Sequence, residues 1–202
     1  MNASKPFVLG LTGGIGCGKS EAARHLESLG AAHIDADAIS RALTAPGGEA
    51  LPAIRREFGD QVFSPDGTLD RRAMAEIVFA DAAAKARLEG IIHPLVLART
   101  LEAIARADAR VAVLDVPLLF ESGMDALCGE VWAMSADAAT QIQRVRERDG
   151  LTEAQARARI ANQMPMARRN ARAARVIDSA RPIEETRSEL TRLYRELLGR
   201  IG

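Results

Sequence analysis

The sequence is poor in aromatic residues and has no net charge, and both absences limit what the protein binds. One tryptophan and one tyrosine among 202 residues provide little of the stacking surface typical of proteins that bind single-stranded nucleic acid. Lysine and arginine together number 27, as do aspartate and glutamate. No overall field therefore attracts the chain to nucleic acid or anionic lipid, and we expect neither partner.

Long apolar runs and paired cysteines are lacking as well. No stretch approaches the ~20 apolar residues of a membrane helix, and the first apolar run follows a single lysine without a small-residue cleavage site. Cys17 and Cys128 have no spacing typical of a disulfide framework or a zinc site. We therefore expect a cytoplasmic protein without membrane association. The sequence carries no signal for a particular oligomeric state.

Short apolar runs that alternate with helical segments predict an α/β fold. Strands alternating with helices indicate βαβ units around a parallel sheet, and the length favours one globular unit with insertions. The predicted strands are Phe7–Leu11, Ala31–Ile34, Val111–Leu114, Val131–Met134 and Val176–Ile177.

Local signals place some of the other elements. Thr152 and Gln155 form a capping-box pattern before a predicted helix, Glu153–Gln163. The segment 38–110 is much longer than a βαβ crossover needs and has helical patterns of its own, so we predict an inserted helical subdomain. Within it, the sequence SPDG at Ser64–Gly67 predicts a turn between two helices.

The strongest motif is Gly13–Ser20, which reads GGIGCGKS, fits G-x-x-x-x-G-K-[ST], and lies between an apolar strand and a helical pattern. A glycine-rich turn without a ligand is the much less common alternative. In a phosphate-binding P-loop, backbone amides and the helix N-terminus bind phosphate oxygens, Lys19 reaches the β- and γ-phosphates, and Ser20 binds Mg²⁺. The predicted nucleotide-binding residues are Gly13, Gly14, Ile15, Gly16, Cys17, Gly18, Lys19, Ser20 and Glu21.

Three carboxylates follow predicted strands, where ligands bind in open α/β folds. Asp115 ends the run VAVLD and is a candidate magnesium residue, although a strand-end Asp is also a common turn or cap residue. Asp35 and Asp37 follow the second strand, and one of them could accept the proton of an acceptor hydroxyl during phosphoryl transfer. The alternative for Asp37 is a helix cap.

The region 144–175 concentrates positive charge, with nine arginines against three acidic residues. Guanidinium groups match phosphate oxygens and stay charged, so we expect a few of them to close over transferring phosphates. Arg144 and Arg148 share a helical face. The alternatives are a solvated basic surface and an RNA-binding patch, which has little aromatic support.

The segment IIHP places His93 just before Pro94, a proline predicted to start a helix. A single histidine at such a position is more often a cap or packing residue than a ligand. No grouping of residues in the sequence suggests a zinc or iron site or a Ser-His-Asp arrangement.

In combination, these segments resemble the dephospho-coenzyme A kinase family, and the resemblance spans essentially the whole chain. The P-loop alone would not distinguish this family, but the other segments in the same order are more specific. The segments are LTGGIGCGKS at 11–20, IDAD at 34–37, HP at 93–94, DVPLLFE at 115–121, RD at 148–149 and QMP at 163–165.

The resemblance implies a fold and an activity. The fold is a P-loop kinase-type parallel sheet flanked by helices, with a core (1–37, 111–140 and 176–202), a helical substrate-binding insertion (38–110) and a mobile lid (141–175). The activity is the phosphorylation of the ribose 3′-hydroxyl of dephospho-coenzyme A, the last step of coenzyme A synthesis, with ATP and Mg²⁺.

The resemblance also implies catalytic roles. Asp37 is the expected base, and Lys19 and Arg148 are expected to stabilise charge on the phosphoryl group. Ser20 and Asp115 are expected to serve magnesium.

Two further residues, Asp35 and His93, are the expected acceptor-binding residues. The chain departs from the family pattern at three positions. Glu21 replaces a usual Thr, Arg175 a common acidic residue and Ser179 a common Asn.

Two other functions compete with this one. Another small-metabolite or nucleoside-monophosphate kinase would share the P-loop, but the PLLFE segment at 117–121 argues against it. A nucleotide-gated switch of the GTPase type should carry an Asn-Lys-x-Asp guanine reader, which the sequence lacks.

Overall fold

The computed structural model describes residues 5–202, which form two compact units. The sheet unit comprises residues 5–34 and 104–202, and the helical unit comprises residues 35–103. Each unit has a hydrophobic core of its own.

The sheet has five strands in the order β2-β3-β1-β4-β5, and the pairs β1–β3, β1–β4 and β4–β5 are parallel. Each predicted strand forms, either extended or shifted by one residue, so the predicted α/β class is confirmed. Because β1 is central, the loop that follows it emerges in the middle of the carboxyl edge, where ligands bind in such sheets. The strands are β1 (Phe7–Gly13), β2 (Ala32–Asp35), β3 (Val111–Asp115), β4 (Glu130–Ser135) and β5 (Arg175–Asp178).

Helices make up most of the remaining chain. Within residues 5–202, none is long and apolar enough to cross a membrane. The α-helices are α1 (Lys19–Ser28), α2 (Ala36–Leu43), α3 (Leu51–Phe58), α4 (Arg71–Ala80), α5 (Ala82–Arg106), α6 (Ala138–Asp149), α7 (Glu153–Ala161), α8 (Met166–Arg172) and α9 (Ile183–Arg200).

The core of the sheet unit lies between the sheet and helices α1 and α9. Leu9 and Trp132 on the strands are fully buried against Leu26 of α1 and Leu197 of α9. Burial of such a side chain contributes roughly 1.5–3 kcal/mol, so this packing fixes the helices that flank the loop after β1.

The capping box of α7 forms as predicted. The Thr152 hydroxyl accepts from the Gln155 amide, and the Gln155 side chain accepts from the Thr152 amide. The helix ends at Ala161, so the predicted end at Gln163 is wrong. Pro165 contributes to this end, because in a continued helix its ring would clash with the carbonyl of Ala161, four residues earlier.

The helical unit packs around Leu43, Ile54, Phe58 and Met74. The predicted turn Ser64–Gly67 lies between α3 and α4, and the amide of its last residue donates to the carbonyl of its first at 2.9 Å. This part of the sequence prediction is confirmed.

Pro94 does not start a helix, and that prediction is wrong. It lies inside α5, a continuous helix of 25 residues. A proline there lacks the N–H that would bond to the carbonyl of Gly90. Ile91 and Leu95 pack into the core of the helical unit on either side of it, so packing outweighs the local preference.

Candidate active site

The glycine-rich loop connects β1 to α1 and leaves backbone groups available to a ligand. Gly16 and Gly18 have φ angles of 77° and 73°, a left-handed geometry that strains other residues. Gly18 is the N-cap of α1 and offers no side-chain cap. The first N–H groups of a helix have no partner within the helix, so this terminus suits an anion.

Lys19 and Asp115 are brought together at the carboxyl edge of the sheet. Nζ of Lys19 pairs with Oδ1 of Asp115, and Nε2 of His33 lies 3.2 Å from Oδ2. Asp115 is only 4% exposed. Burial raises the pKa of the Asp115 carboxyl, but the His33 hydrogen bond and the Lys19 charge outweigh burial, so the pKa is lowered and the group stays ionised.

Sequence reasoning missed His33. Its only signal is its position in β2, directly before the IDAD segment. A contact with a residue 82 positions later leaves no local pattern by which to find it.

The donor atoms at this edge fit magnesium. Ser20 lies in the first turn of α1, and Asp115 ends β3. Mg²⁺ prefers oxygen ligands and is commonly shared between a few protein groups, phosphates and water. Across residues 5–202, no three His, Cys, Asp or Glu side chains gather into a metal site. Ser20 and Asp115 would therefore share the ion with phosphate and water oxygens.

Side chains from 141–175 hold the first half of the loop. Gln163 Oε1 accepts from the Ile15 amide, and Gln141 Nε2 donates to the Ile15 carbonyl, both at 2.8 Å. A Cβ at Gly14 would lie 2.9 Å from Gln141 Nε2 and 3.1 Å from Arg169 Nη1. A larger residue at this position would therefore require the ends of these side chains to move.

Arg144 connects the loop to the end of β5. Its guanidinium donates to the Gly16 carbonyl at 3.2 Å and to the Ser179 carbonyl at 2.6 Å. The Ser179 hydroxyl in turn donates to the carbonyl of Ser135 at 3.1 Å. The serine that departs from the family pattern thus has a structural role.

Much of the predicted arginine cluster is paired. Arg148 is 62% exposed and forms two hydrogen bonds with Asp149, at 2.7 and 3.0 Å. Arg159 contacts the same carboxylate, and Arg172 lies over the Phe120 ring at 4.1 Å. These three arginines therefore have protein partners of their own.

Glu21 is also paired. Arg187 of α9 donates to its carboxylate, and Arg24 donates to the other oxygen at 2.7 Å. The hydrogen bond from Arg187 lowers the pKa of the Glu21 carboxyl. The pair lines a cavity of about 260 Å³, which is bordered by both apolar side chains and arginines. Its lining includes Gly18, Met134, Arg144, Ser179, Ile183 and Leu190.

Asp35, Asp37 and His93 belong to the helical unit. Asp35 is the N-cap of α2, and its Oδ1 accepts from the Ala38 amide at 2.9 Å. The alternative of a cap at Asp37 is therefore wrong, because the cap must precede the first turn. Asp37 is exposed within that turn, and His93 is exposed on α5.

Comparison with known proteins identifies relatives over nearly the whole chain. Residues 7–185 match the family described as Dephospho-CoA kinase. The Dephospho-CoA kinase of Symbiobacterium thermophilum is 44% identical over 96% of this chain and 83% of its own. That of Geobacter metallireducens is 43% identical over 94% of this chain and 96% of its own.

A solved structure agrees with this result. The dephospho-CoA kinase from Campylobacter jejuni is 27% identical and superposes with a TM-score of 0.70, covering 94% of this chain and 96% of that one. The chain belongs to the dephospho-CoA kinase family. The family resemblance, the parallel-sheet kinase fold and the kinase activity predicted from the sequence are thereby confirmed.

The loop cysteine is buried, although a helix N-terminus commonly activates thiols. Cys17 is 1% exposed, and burial raises the pKa of its thiol. Burial likewise raises the pKa of Cys128 to about 12. Both groups are therefore protonated near neutral pH.

We predict that neither cysteine reacts readily in the folded protein, because the thiolate is the reactive form. Titration with a disulfide reagent at pH 8 should label both only after denaturant is added. A Cys17→Ser variant identifies which residue reacts. Rapid labelling of native Cys17 would contradict the burial argument.

Proposed function

We propose that this chain transfers the γ-phosphoryl group of ATP to the ribose 3′-hydroxyl of dephospho-coenzyme A, with Mg²⁺. The main support is the P-loop at the central strand, together with the ionised Asp115 paired to Lys19 beside it. Lysine, carboxylate and helix N-terminus are the groups that phosphoryl transfer requires, because its catalysis is mostly positioning and charge neutralisation.

On this proposal, residues 13–21 bind the nucleotide. Lys19 leaves Asp115 and binds oxygens of the β- and γ-phosphates instead. Asp115 and Ser20 would hold magnesium, which when bound would supply positive charge to balance the phosphates. The cavity beside Glu21 takes the base, since its lining combines apolar side chains, which suit a base, with arginines, which suit phosphates.

We assign the acceptor to the insertion 38–110 and the residues next to it. Asp37 is the proposed base for the 3′-hydroxyl, since its carboxylate is exposed and not used as a cap. Asp35 and His93 are the proposed acceptor-binding residues. A base contributes by aligning the hydroxyl and taking its proton as the bond to phosphorus forms.

The nucleotide-binding core in this proposal is 1–37, 111–140 and 176–202, and the lid is 141–175. Within the lid, Arg148 stabilises the transferring group, for which it must leave Asp149. We also place the protein in the cytoplasm. Its cysteines are free thiols, which suits a reducing compartment.

Asp37→Asn is the direct test of the base. We expect acceptor-dependent ADP release to fall roughly 100-fold or more, because general-base catalysis contributes about that much. ATP affinity should be unchanged. Coupled ADP release with and without dephospho-coenzyme A measures the loss, and Asp108→Asn, in an exposed loop, is the matched control. Absence of any acceptor stimulation in the unmodified protein would refute the proposed function.

The metal assignment predicts a dependence on Mg²⁺. Chelation with EDTA should stop ADP release, and Mg²⁺ should restore it. Asp115→Asn should raise the Mg²⁺ concentration for half-maximal rate roughly tenfold or more, as loss of a metal-orienting group does. Asp66→Asn, in the turn of the helical unit, is the control. An unchanged Mg²⁺ requirement in Asp115→Asn would exclude that role.

The lid assignment predicts slower hydrogen exchange across 141–175 when ATP and acceptor are present together. Mass spectrometry of peptides from this range measures it, with the end of α9, beyond the residues that line the cavity, as the reference. Exchange that does not change on adding both substrates would contradict lid closure.

A further inference from the structure

Arg169 is a buried arginine in contact with the nucleotide loop. It lies on α8 and is 3% exposed. Its Nη2 donates to the Met164 carbonyl at 2.9 Å, and its Nη1 is 3.1 Å from the position that a Cβ on Gly14 would occupy. The guanidinium therefore lies directly against the start of the P-loop.

The charge of Arg169 has no partner of opposite sign. Arg148, Arg159 and Arg172 of the same region pair with carboxylates. Arg169, in contrast, forms no ion pair with any carboxylate of residues 5–202, and its buried Nε has no hydrogen-bond partner. A buried charge without a counter-charge destabilises a protein, so a structural role alone would be better filled by an apolar side chain.

The positive field of Arg169 reaches the phosphate-binding loop. The charge of Arg169 lowers the pKa of the Cys17 thiol in the middle of that loop, although burial raises that pKa more strongly. Gln141 and Gln163 hold the carbonyl and amide of Ile15 on the same side. The two glutamines therefore hold the loop backbone by hydrogen bonds, and Arg169 lies against the loop beside them and brings a charge.

We propose that Arg169 is a positioning residue for the nucleotide phosphates. From behind Gly14, its guanidinium holds the loop in the phosphate-binding shape and supplies positive charge that the bound phosphates balance. Arg169 acts through the loop and by its charge. Its contribution to the affinity therefore increases with the negative charge on the phosphates of the ligand. The inference rests on the proposed nucleotide site and is independent of the acceptor.

The chain offers a matched control for this role. Arg168 is the preceding residue on α8 and is exposed. Arg168→Met removes the same charge from the same helix without touching the loop. Arg169→Met removes the buried charge and keeps a long apolar side chain, whereas Arg169→Lys keeps the charge.

The experiment measures the Kd of ATP and of AMP for each variant by competition with a fluorescent ATP analogue, and the midpoint of thermal unfolding. In Arg169→Met, the Kd of ATP should rise roughly tenfold or more, as expected for the loss of one charged interaction. The Kd of AMP, which lacks the β- and γ-phosphates, should change less than about twofold. Arg169→Lys should recover most of the ATP affinity, and Arg168→Met should match the unmodified protein.

Other outcomes overturn the inference. Equal weakening of ATP and AMP, or equal loss in Arg169→Met and Arg169→Lys, would mean that Arg169 only packs. An unchanged Kd for ATP in Arg169→Met would also exclude the role. If Arg169→Met does not fold, the comparison of Arg169→Gln with Arg169→Lys decides the question. Failure of the unmodified protein to bind ATP would instead contradict the proposed function.

Discussion

The buried carboxylate of Asp115 is the constraint around which the rest of the site is arranged. An ionised group that is 4% exposed must be paired, because an uncompensated buried charge costs several kcal/mol. Lys19 from the start of α1 and His33 from β2 supply the compensation. One electrostatic requirement thus joins the start of α1, β2 and the end of β3 at the point where the glycine-rich loop ends.

The loop itself has to be held from outside. Glycines give it the geometry that exposes amides, but they provide no side chains with which to pack. Gln141, Gln163 and Arg144 therefore bind its carbonyls and amide. These residues lie within the proposed lid, so the segment proposed to close over phosphates also shapes the loop proposed to bind them. A movement of this segment would change the hydrogen bond between the Ile15 amide and Gln163.

The features predicted correctly from the sequence are those determined by neighbouring residues. The P-loop, the Thr152 cap and the turn Ser64–Gly67 depend on backbone geometry over a few positions. The features that were missed depend on distant contacts. Pro94 lies inside a helix because the core of the helical unit packs on both sides of it, and His33 contacts Asp115, which lies 82 positions later. Such pairings require the fold to be known.

Two of the departures from the family pattern, Glu21 and Ser179, have arginine partners beside the same cavity. A carboxylate at Glu21, near a phosphate-binding helix N-terminus, would by itself repel a nucleotide. Arg187, 166 positions later, pairs with it and restores local neutrality. Ser179 borders the same cavity, where its backbone and hydroxyl bind Arg144. Two of the three departures thus lie at one cavity and have partners there, so each of these two substitutions is accommodated by a guanidinium group.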